Sequence, residues 1–364
     1  MTLSLYIARR FVLSFLGILA VFSGLVMLID MVEQIRRHSD DGIGFNRALG
    51  LAALNTPATI YQILPLIVIL ASVGLFLGLA RTNELIVVRA AGRSGVRLLM
   101  APMIAAALIG AGAVALLNPI VAGTSQRYEA LSRERDRNGD SILSIGDEGL
   151  WLREGGQDEK VVIHSARTNP DGTELFDATF LIFGRDGAPL ARINADRALL
   201  LPGAWQLTGA KKWDLTLPNP ERAATRHDSM RRPSTLTGER IRESFGAPSR
   251  IAIWDLPAFI RRLEDAGFSA RGHRVWMQRE LALPLMMAAM VLLGAGLAMR
   301  PTRLGQTGRR VMLALLAGFG VYYLRNFAQL LGESGQISVM LAAWSPPVAA
   351  LLLGFGLLLH LEDG

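Results

Sequence analysis

Six long apolar runs constrain this chain more than any other feature. They are Phe11–Ile29, Ile60–Ala80, Leu98–Ala122, Leu281–Met299, Val311–Leu331 and Ile337–Leu359. A helix needs about 20 such residues to cross a hydrocarbon core, and each run meets that length. Only the fifth holds a charge well inside it, Arg325. About 150 residues without such a run separate the third from the fourth. The layout is three spans, one large polar insert and three spans. Composition agrees: 51% of the 364 residues are hydrophobic and 19% are charged, against about a quarter charged in soluble domains. Disorder is excluded on the same ground. The first run is too long for a usual signal-peptide core and no A-x-A-like site follows it, so it reads as a retained span.

Basic residues in short loops set orientation. The N-terminus (Arg9, Arg10), the second–third loop (Arg81, Arg89, Arg93, Arg97) and the fourth–fifth loop (Arg300, Arg303, Arg309, Arg310) carry ten arginines. The opposite loops carry three, Arg36, Arg37 and Arg47. The first set is expected in the cytoplasm, with both termini, and the insert outside, in the periplasm of a Gram-negative cell. Basic flanks of this kind also account for the net charge of +7 without invoking nucleic acid. Only Lys160, Lys211 and Lys212 among the basic residues are lysines. An arginine excess suits bidentate phosphate or carboxylate recognition, and a GC-rich genome also produces it.

The sequence carries no recognisable catalytic set. It has no cysteine, which removes disulfides, thiolate metal sites and cysteine nucleophiles. His38, His164, His227, His273 and His360 form no H-E-x-x-H pair, and there is neither a G-x-S-x-G elbow near a span nor a P-loop. The chain reads as a non-catalytic membrane subunit with no cofactor and no metal. Any ATP hydrolysis would come from a separate subunit. Arg325-Asn326 reads either as a polar group facing a cavity or partner, or as an arginine snorkelling to the outer surface.

Within the insert the periodicity changes. Strand-like runs appear at Leu150–Leu152, Lys160–His164, Thr179–Phe183, Leu190–Ala195, Ala204–Leu207 and Trp213–Leu217, separated by Gly/Pro turns such as Asn169-Pro170-Asp171-Gly172. This pattern predicts a sandwich or jelly roll, with Trp151, Trp205 and Trp213 filling its core. After it, Asp255 and Pro257 start a short amphipathic helix that Gly267 ends. That helix is expected on the membrane surface or against the bundle, and a second one, near Gly272–Arg279, leads into the fourth span.

Two loops carry more information. In the second–third loop, Thr82 or Asn83 can cap a short helix that Gly92 ends, with Leu85 and Val88 on one apolar face, Arg89 beside them and Glu84 in the first turn. Such a helix suits the groove of an ATPase subunit, and a basic linker that only enforces topology reads the same way. Beyond the first span, Arg36 and Arg37 follow Glu33. Beyond the third lie Arg127, Arg133, Arg135 and Arg137. Two basic rims above an apolar cavity would hold an amphiphile with an acidic head; the same arginines could also be solvated helix ends paired with Glu33, Glu129, Glu134 and Asp136.

Over nearly its whole length the chain resembles the lipopolysaccharide export permeases of the YjgP/YjgQ (LptF/LptG) family. The resemblance rests on the 3+3 layout around an outer β-domain, Asp30-Met31-Val32-Glu33-Gln34-Ile35-Arg36-Arg37, the segment from Leu64-Pro65 through Gly78 to Asn83-Glu84-Leu85, and Ala90-Ala91-Gly92. Gly149-Leu150-Trp151, the Leu263 to Gly267 helix end and Arg300-Pro301-Thr302-Arg303 extend it. The Asp30–Arg37 stretch is closer to the G type than the F type. The resemblance implies two homologous permeases paired in the inner membrane on a dimer of a cytoplasmic ATPase. Together they extract lipopolysaccharide and pass it to a periplasmic jelly-roll bridge protein. It implies that Glu84, with Leu85, Val88 and Arg89, meets the ATPase, and that Arg36 and Arg37 lie near the lipid head. Asn83 stands where serine is common, Asp30 where some members have a basic residue and Arg325 where some have an acidic one.

The expected architecture is an α-helical membrane protein of six spans with an inserted periplasmic β-jelly-roll or sandwich. Residues 1–135 would hold spans one to three with a coupling helix near 82–92, residues 136–252 the β-domain, and residues 253–364 linker helices and spans four to six. Its expected function is the permease subunit of an ABC transporter for lipopolysaccharide. The rival is a docking protein whose outer β-domain binds partners without transport.

Overall fold

The computed structural model describes residues 2–37, 44–82, 84, 95–133, 143–146, 149–155, 159–244, 247–299 and 307–362. These fall into two compact units. One comprises 1–132, 249–254 and 271–364; the other comprises 133–248 and 255–270.

The first unit is helical, because backbone polar groups in hydrocarbon can be satisfied only within the chain. Its helices are α1 (Thr2–Arg37), α2 (Phe45–Arg81), α3 (Gly95–Gly112) and α4 (Asn118–Arg133). A π-turn at Ala113–Leu117 joins α3 to α4. At 36 residues α1 is about 54 Å long at 1.5 Å per residue, so it outruns the hydrocarbon.

The fourth apolar run forms one helix, and the short amphipathic helix expected near Gly272–Arg279 leads into it. Amphipathic α7 (Arg271–Leu281) meets α8 (Leu283–Ala298) at a 50° elbow. Pro284, in the first turn of α8, has no N–H to continue the ladder. Helices α9 (Thr307–Glu333) and α10 (Val339–Glu362) complete the set. Among the described residues five helices are long and apolar enough to span, or six if the elbow counts as one.

Burial is inverted relative to a soluble bundle. Almost all of α8 is buried against α2, α3, α9 and α10. Large apolar side chains such as Leu13, Leu28, Phe319, Phe327 and Leu352 point outward, as lipid contact requires. Tight crossings replace a hydrophobic driving force. A Cβ on Gly110 would lie 2.8 Å from the Pro284 backbone and 2.9 Å from Met287. Ser72 Oγ donates to the Val291 carbonyl at 2.8 Å across the α2–α8 contact.

The second unit is an antiparallel sheet. Its strands are β1 (Leu143–Gly146), β2 (Gly149–Gly155), β3 (Lys160–Ser165), β4 (Arg167–Thr168), β5 (Glu174–Phe183), β6 (Pro189–Leu201), β7 (Ala204–Asp214) and β8 (Thr225–Pro233). They pair in the order β1-β2-β3-β5-β6-β7-β8, with β4 alongside β5. Leu152, Ile163, Phe180, Ile193 and Trp205 make its core. Short α5 (Gly238–Ser244) adds Ile241, and α6 (Leu256–Asp265) adds Leu256, Ile260 and Leu263. Gly267 closes α6 at φ +91°, and a Cβ there would lie 2.3 Å from the Thr168 carbonyl. Only glycine permits that approach, which brings the Thr168 N–H to the Ala266 carbonyl at 3.2 Å. The helix expected at the membrane surface therefore belongs to the sheet unit.

Two of the three tryptophans expected in the core are not there. Trp205 is fully buried, but Trp151 is 36% exposed and lies over His164. Trp213 is half-buried between Arg192 and Lys211 and donates its N–H to Glu221 at 2.6 Å. Burial changes phase by one residue along the row Asp177, Asp196, Gly209, with φ +52° at Asp177 and +65° at Gly209. Period-2 counting across that row puts Trp213 on the wrong face.

Gly110→Ala should cost about 1–3 kcal/mol by overpacking, whereas Gly112→Ala, with nothing within 4 Å, should leave the melting temperature in detergent unchanged or raised. Equal melting temperatures for the two variants would contradict the α3–α8 crossing.

Candidate functional site

The two expected rims are described in part. Arg36 is exposed and pairs with Glu33 through two bonds of 3.0 and 3.1 Å. The side chains of Arg37 and Arg133, at the ends of α1 and α4, lie outside the described residues, as do Arg135 and Arg137. Glu129 pairs with Arg250 at 2.6 Å. The far end of α1 is tied down by Asn55 Nδ2 donating to Asp30 at 3.0 Å and Gln34 Nε2 donating to the Tyr128 hydroxyl at 2.8 Å.

In the second–third loop, Leu85, Val88 and Arg89 lie outside the described residues. Glu84 does not. Its Oε1 accepts from Thr82 Oγ1 at 2.8 Å and from Arg10 Nη1 at 2.9 Å. Its Oε2 accepts from Arg10 at 3.1 Å and from the Tyr6 hydroxyl at 3.2 Å. Arg10 also donates to Tyr6 at 3.0 Å. The Thr82 hydroxyl, and then the Arg10 guanidinium, hold the Glu84 carboxyl below the usual carboxylate range. A depressed folded-state value means the pairing is present at neutral pH and is lost only as pH falls through that value. The side chain expected to face a partner is thus engaged by α1.

A second polar site was not anticipated from sequence. Glu280, last but one in α7, is fully buried. It accepts from the Tyr61 hydroxyl of α2 and, at 3.4 Å, from Asn118 Nδ2 at the head of α4. Arg325 of α9 is 6% exposed and interacts electrostatically with Glu280 and Tyr61. Arg325 is therefore enclosed by the helices and does not snorkel. Arg279 stacks on Trp276 at 4.9 Å.

Asn118 also joins this group to the segment 249–254. Its Oδ1 accepts the Ile253 N–H at 2.9 Å. Trp254 Nε1 donates to the Ala115 carbonyl at 3.1 Å, inside the π-turn, and Gln126 donates to the Arg250 carbonyl at 2.7 Å. A π-turn loosens the local ladder, and Trp254 uses a carbonyl within it. One sequence signal was available: Glu280 abuts an apolar run and Arg325 sits inside another, and intramembrane charges pair. Among the described residues no cluster suits a metal ion.

Removing Glu280 would take away the acceptor of Tyr61 and Asn118 and the negative charge that favours the buried Arg325 guanidinium. Glu280→Ala should cost about 1–3 kcal/mol, read as a lowered melting temperature in detergent. Adding Arg325→Leu should recover most of the loss. A double variant no better than the single one would show that the two charges are not coupled.

The profile of the family "Lipopolysaccharide export system permease LptF/LptG" matches residues 5–360, through both the helices and the sheet. The chain is 23% identical to lipopolysaccharide export system permease protein LptG of Haemophilus influenzae over 351 residues, which is 96% of this chain and 95% of that protein. It is 23% identical to LptG of Escherichia coli K12 over 348 residues, 95% of this chain and 93% of that one. A membrane bundle of long apolar helices interrupted by an antiparallel sheet unit, matched across both parts, makes this chain a member of the lipopolysaccharide export system permease family LptF/LptG.

Proposed function

We propose that this chain is the G-type transmembrane subunit of an ABC transporter that lifts lipopolysaccharide out of the inner membrane of a Gram-negative bacterium. The family match over residues 5–360 carries the reading. In it, a homologous permease completes the transmembrane part, a dimer of a cytoplasmic ATPase supplies the energy, and a periplasmic jelly-roll protein receives the lipid. Both termini are cytoplasmic and the sheet unit is periplasmic, which the excess of arginine in one set of loops supports. Residues 1–132 and 271–364, with 249–254, serve as the two helical halves, and 133–248 with 255–270 as the β-domain.

The work is mechanical. Closure of the ATPase dimer pushes on Glu84, Leu85, Val88 and Arg89, and the helices carry that motion to an apolar cavity between the two permeases. Removing one methylene from lipid costs about 0.8 kcal/mol, so a lipid with several acyl chains cannot leave the bilayer bare on one ATP. Apolar walls must receive it at every stage. Arg36, Arg37, Arg133, Arg135 and Arg137 face its phosphates with guanidinium forks.

Two measurements test this. In proteoliposomes containing both permeases and the ATPase, Glu84→Ala should lower lipid released per ATP about tenfold, with the complex still assembled; undiminished release would refute the coupling role. The absence of native cysteine makes the topology directly testable. A single cysteine at exposed Thr225 should react with an impermeant maleimide in spheroplasts, and labelling only after lysis would reverse the orientation.

A further inference from the structure

Helix α1 runs along α2, with its buried side chains confined to its two ends. Near its start Ile7, Phe11 and Phe15 are buried. Near its end Asp30 and Gln34 are bonded to α2 and α4. From Leu16 to Glu33 no side chain is buried. An open apolar groove of about 320 Å³ is lined by Gly17, Ile18 and Val21 of α1, Leu70, Val73 and Leu77 of α2, and Val311 of α9.

The first end is fastened by the Ser14 hydroxyl, which donates to the Ala71 carbonyl at 3.3 Å, and by a polar ring. Arg10 bridges both carboxylate oxygens of Glu84, and Tyr6 closes a three-membered ring by accepting from Arg10 and donating to Glu84. The guanidinium lies over Gly78, 3.5 Å from where a Cβ would sit, so α2 leaves room for it. Glu84 lies just beyond α2 and not on it. The ring therefore ties α1 to the loop after α2 and not only to its neighbouring helix.

From this ring we infer that Arg10 and Tyr6 are positioning residues that make the first span follow the second–third loop. A push on the loop reaches α1 through the Glu84 carboxylate. The inference rests on the proposed coupling role of that loop. A long helix fastened at its ends, with no buried side chain from Leu16 to Glu33, turns a small displacement at one end into a tilt of the whole rod.

The test uses the complete complex in proteoliposomes. Spin labels at Leu25→Cys on α1 and Phe319→Cys on α9, both exposed apolar sites, report their separation with and without a non-hydrolysable ATP analogue. The parent should show a nucleotide-dependent change in separation. Arg10→Gln and Tyr6→Phe should reduce it, and lipid released per ATP should fall about threefold, the scale of a half-exposed ion pair. Arg10→Lys should restore part of both. Tyr6→Phe keeps the aromatic ring and removes only the hydroxyl, so it covers the case in which Arg10→Gln fails to assemble. Parent-like separation and release in both variants would overturn the inference. Glu84→Gln in parallel separates the two levels. If it uncouples while Arg10→Gln and Tyr6→Phe do not, only the ring's role fails. If it leaves release intact, the coupling reading fails and the inference with it.

Discussion

A charge or unpaired backbone group in hydrocarbon has no water to fall back on, and the helical unit is organised around that constraint. Glu280 is tolerable because Tyr61 and Asn118 donate to it, and the buried Arg325 guanidinium is favoured by its charge. Buried polar clusters seldom add net stability over apolar packing, but they make one arrangement of their helices far better than its neighbours. Here the arrangement involves α2, α4, the α7–α8 elbow and α9. The elbow is where the chain most needs fixing, since Pro284 has already broken the ladder there.

The same constraint shapes the return from the insert. Segment 249–254 lies against α3 and α4 through Trp254, Ile253 and Arg250. Asn118 serves it with one amide atom and Glu280 with the other. One side chain thus ties the strap to the buried charges.

Much of the fold was legible because hydrocarbon is an unforgiving solvent. Runs of about 20 apolar residues have few other uses, and five of the six emerge as long helices. The two helices either side of the elbow were legible, because Gln278-Arg279-Glu280 ends one pattern where the apolar run begins, but the 50° angle between them has no local signal beyond Pro284. In the insert, strands at Lys160–Ser165 and Ala204–Asp214 begin where alternation and turn residues put them. Leu143–Gly146 and Thr225–Pro233 escaped, since the first is too short for a period and the second is almost wholly exposed and polar. Glu84 stood out as a carboxylate at a helix start. Its partners Arg10 and Tyr6, more than 70 residues away, could not be paired with it from spacing alone. Tyr61, Asn118 and Glu280 come from three distant segments, and nothing local marks them as neighbours.

The sheet unit is discontinuous in sequence. It stops at Pro248, yields six residues to the helical unit, and resumes at Asp255 to run to Ala270. Anyone excising it as a free-standing fragment at Pro248 would discard Leu256, Ile260, Leu263 and Phe268 from its interior and the carbonyl that caps Thr168. The soluble piece worth expressing extends to Ala270, with the 249–254 strap replaced by a polar tether.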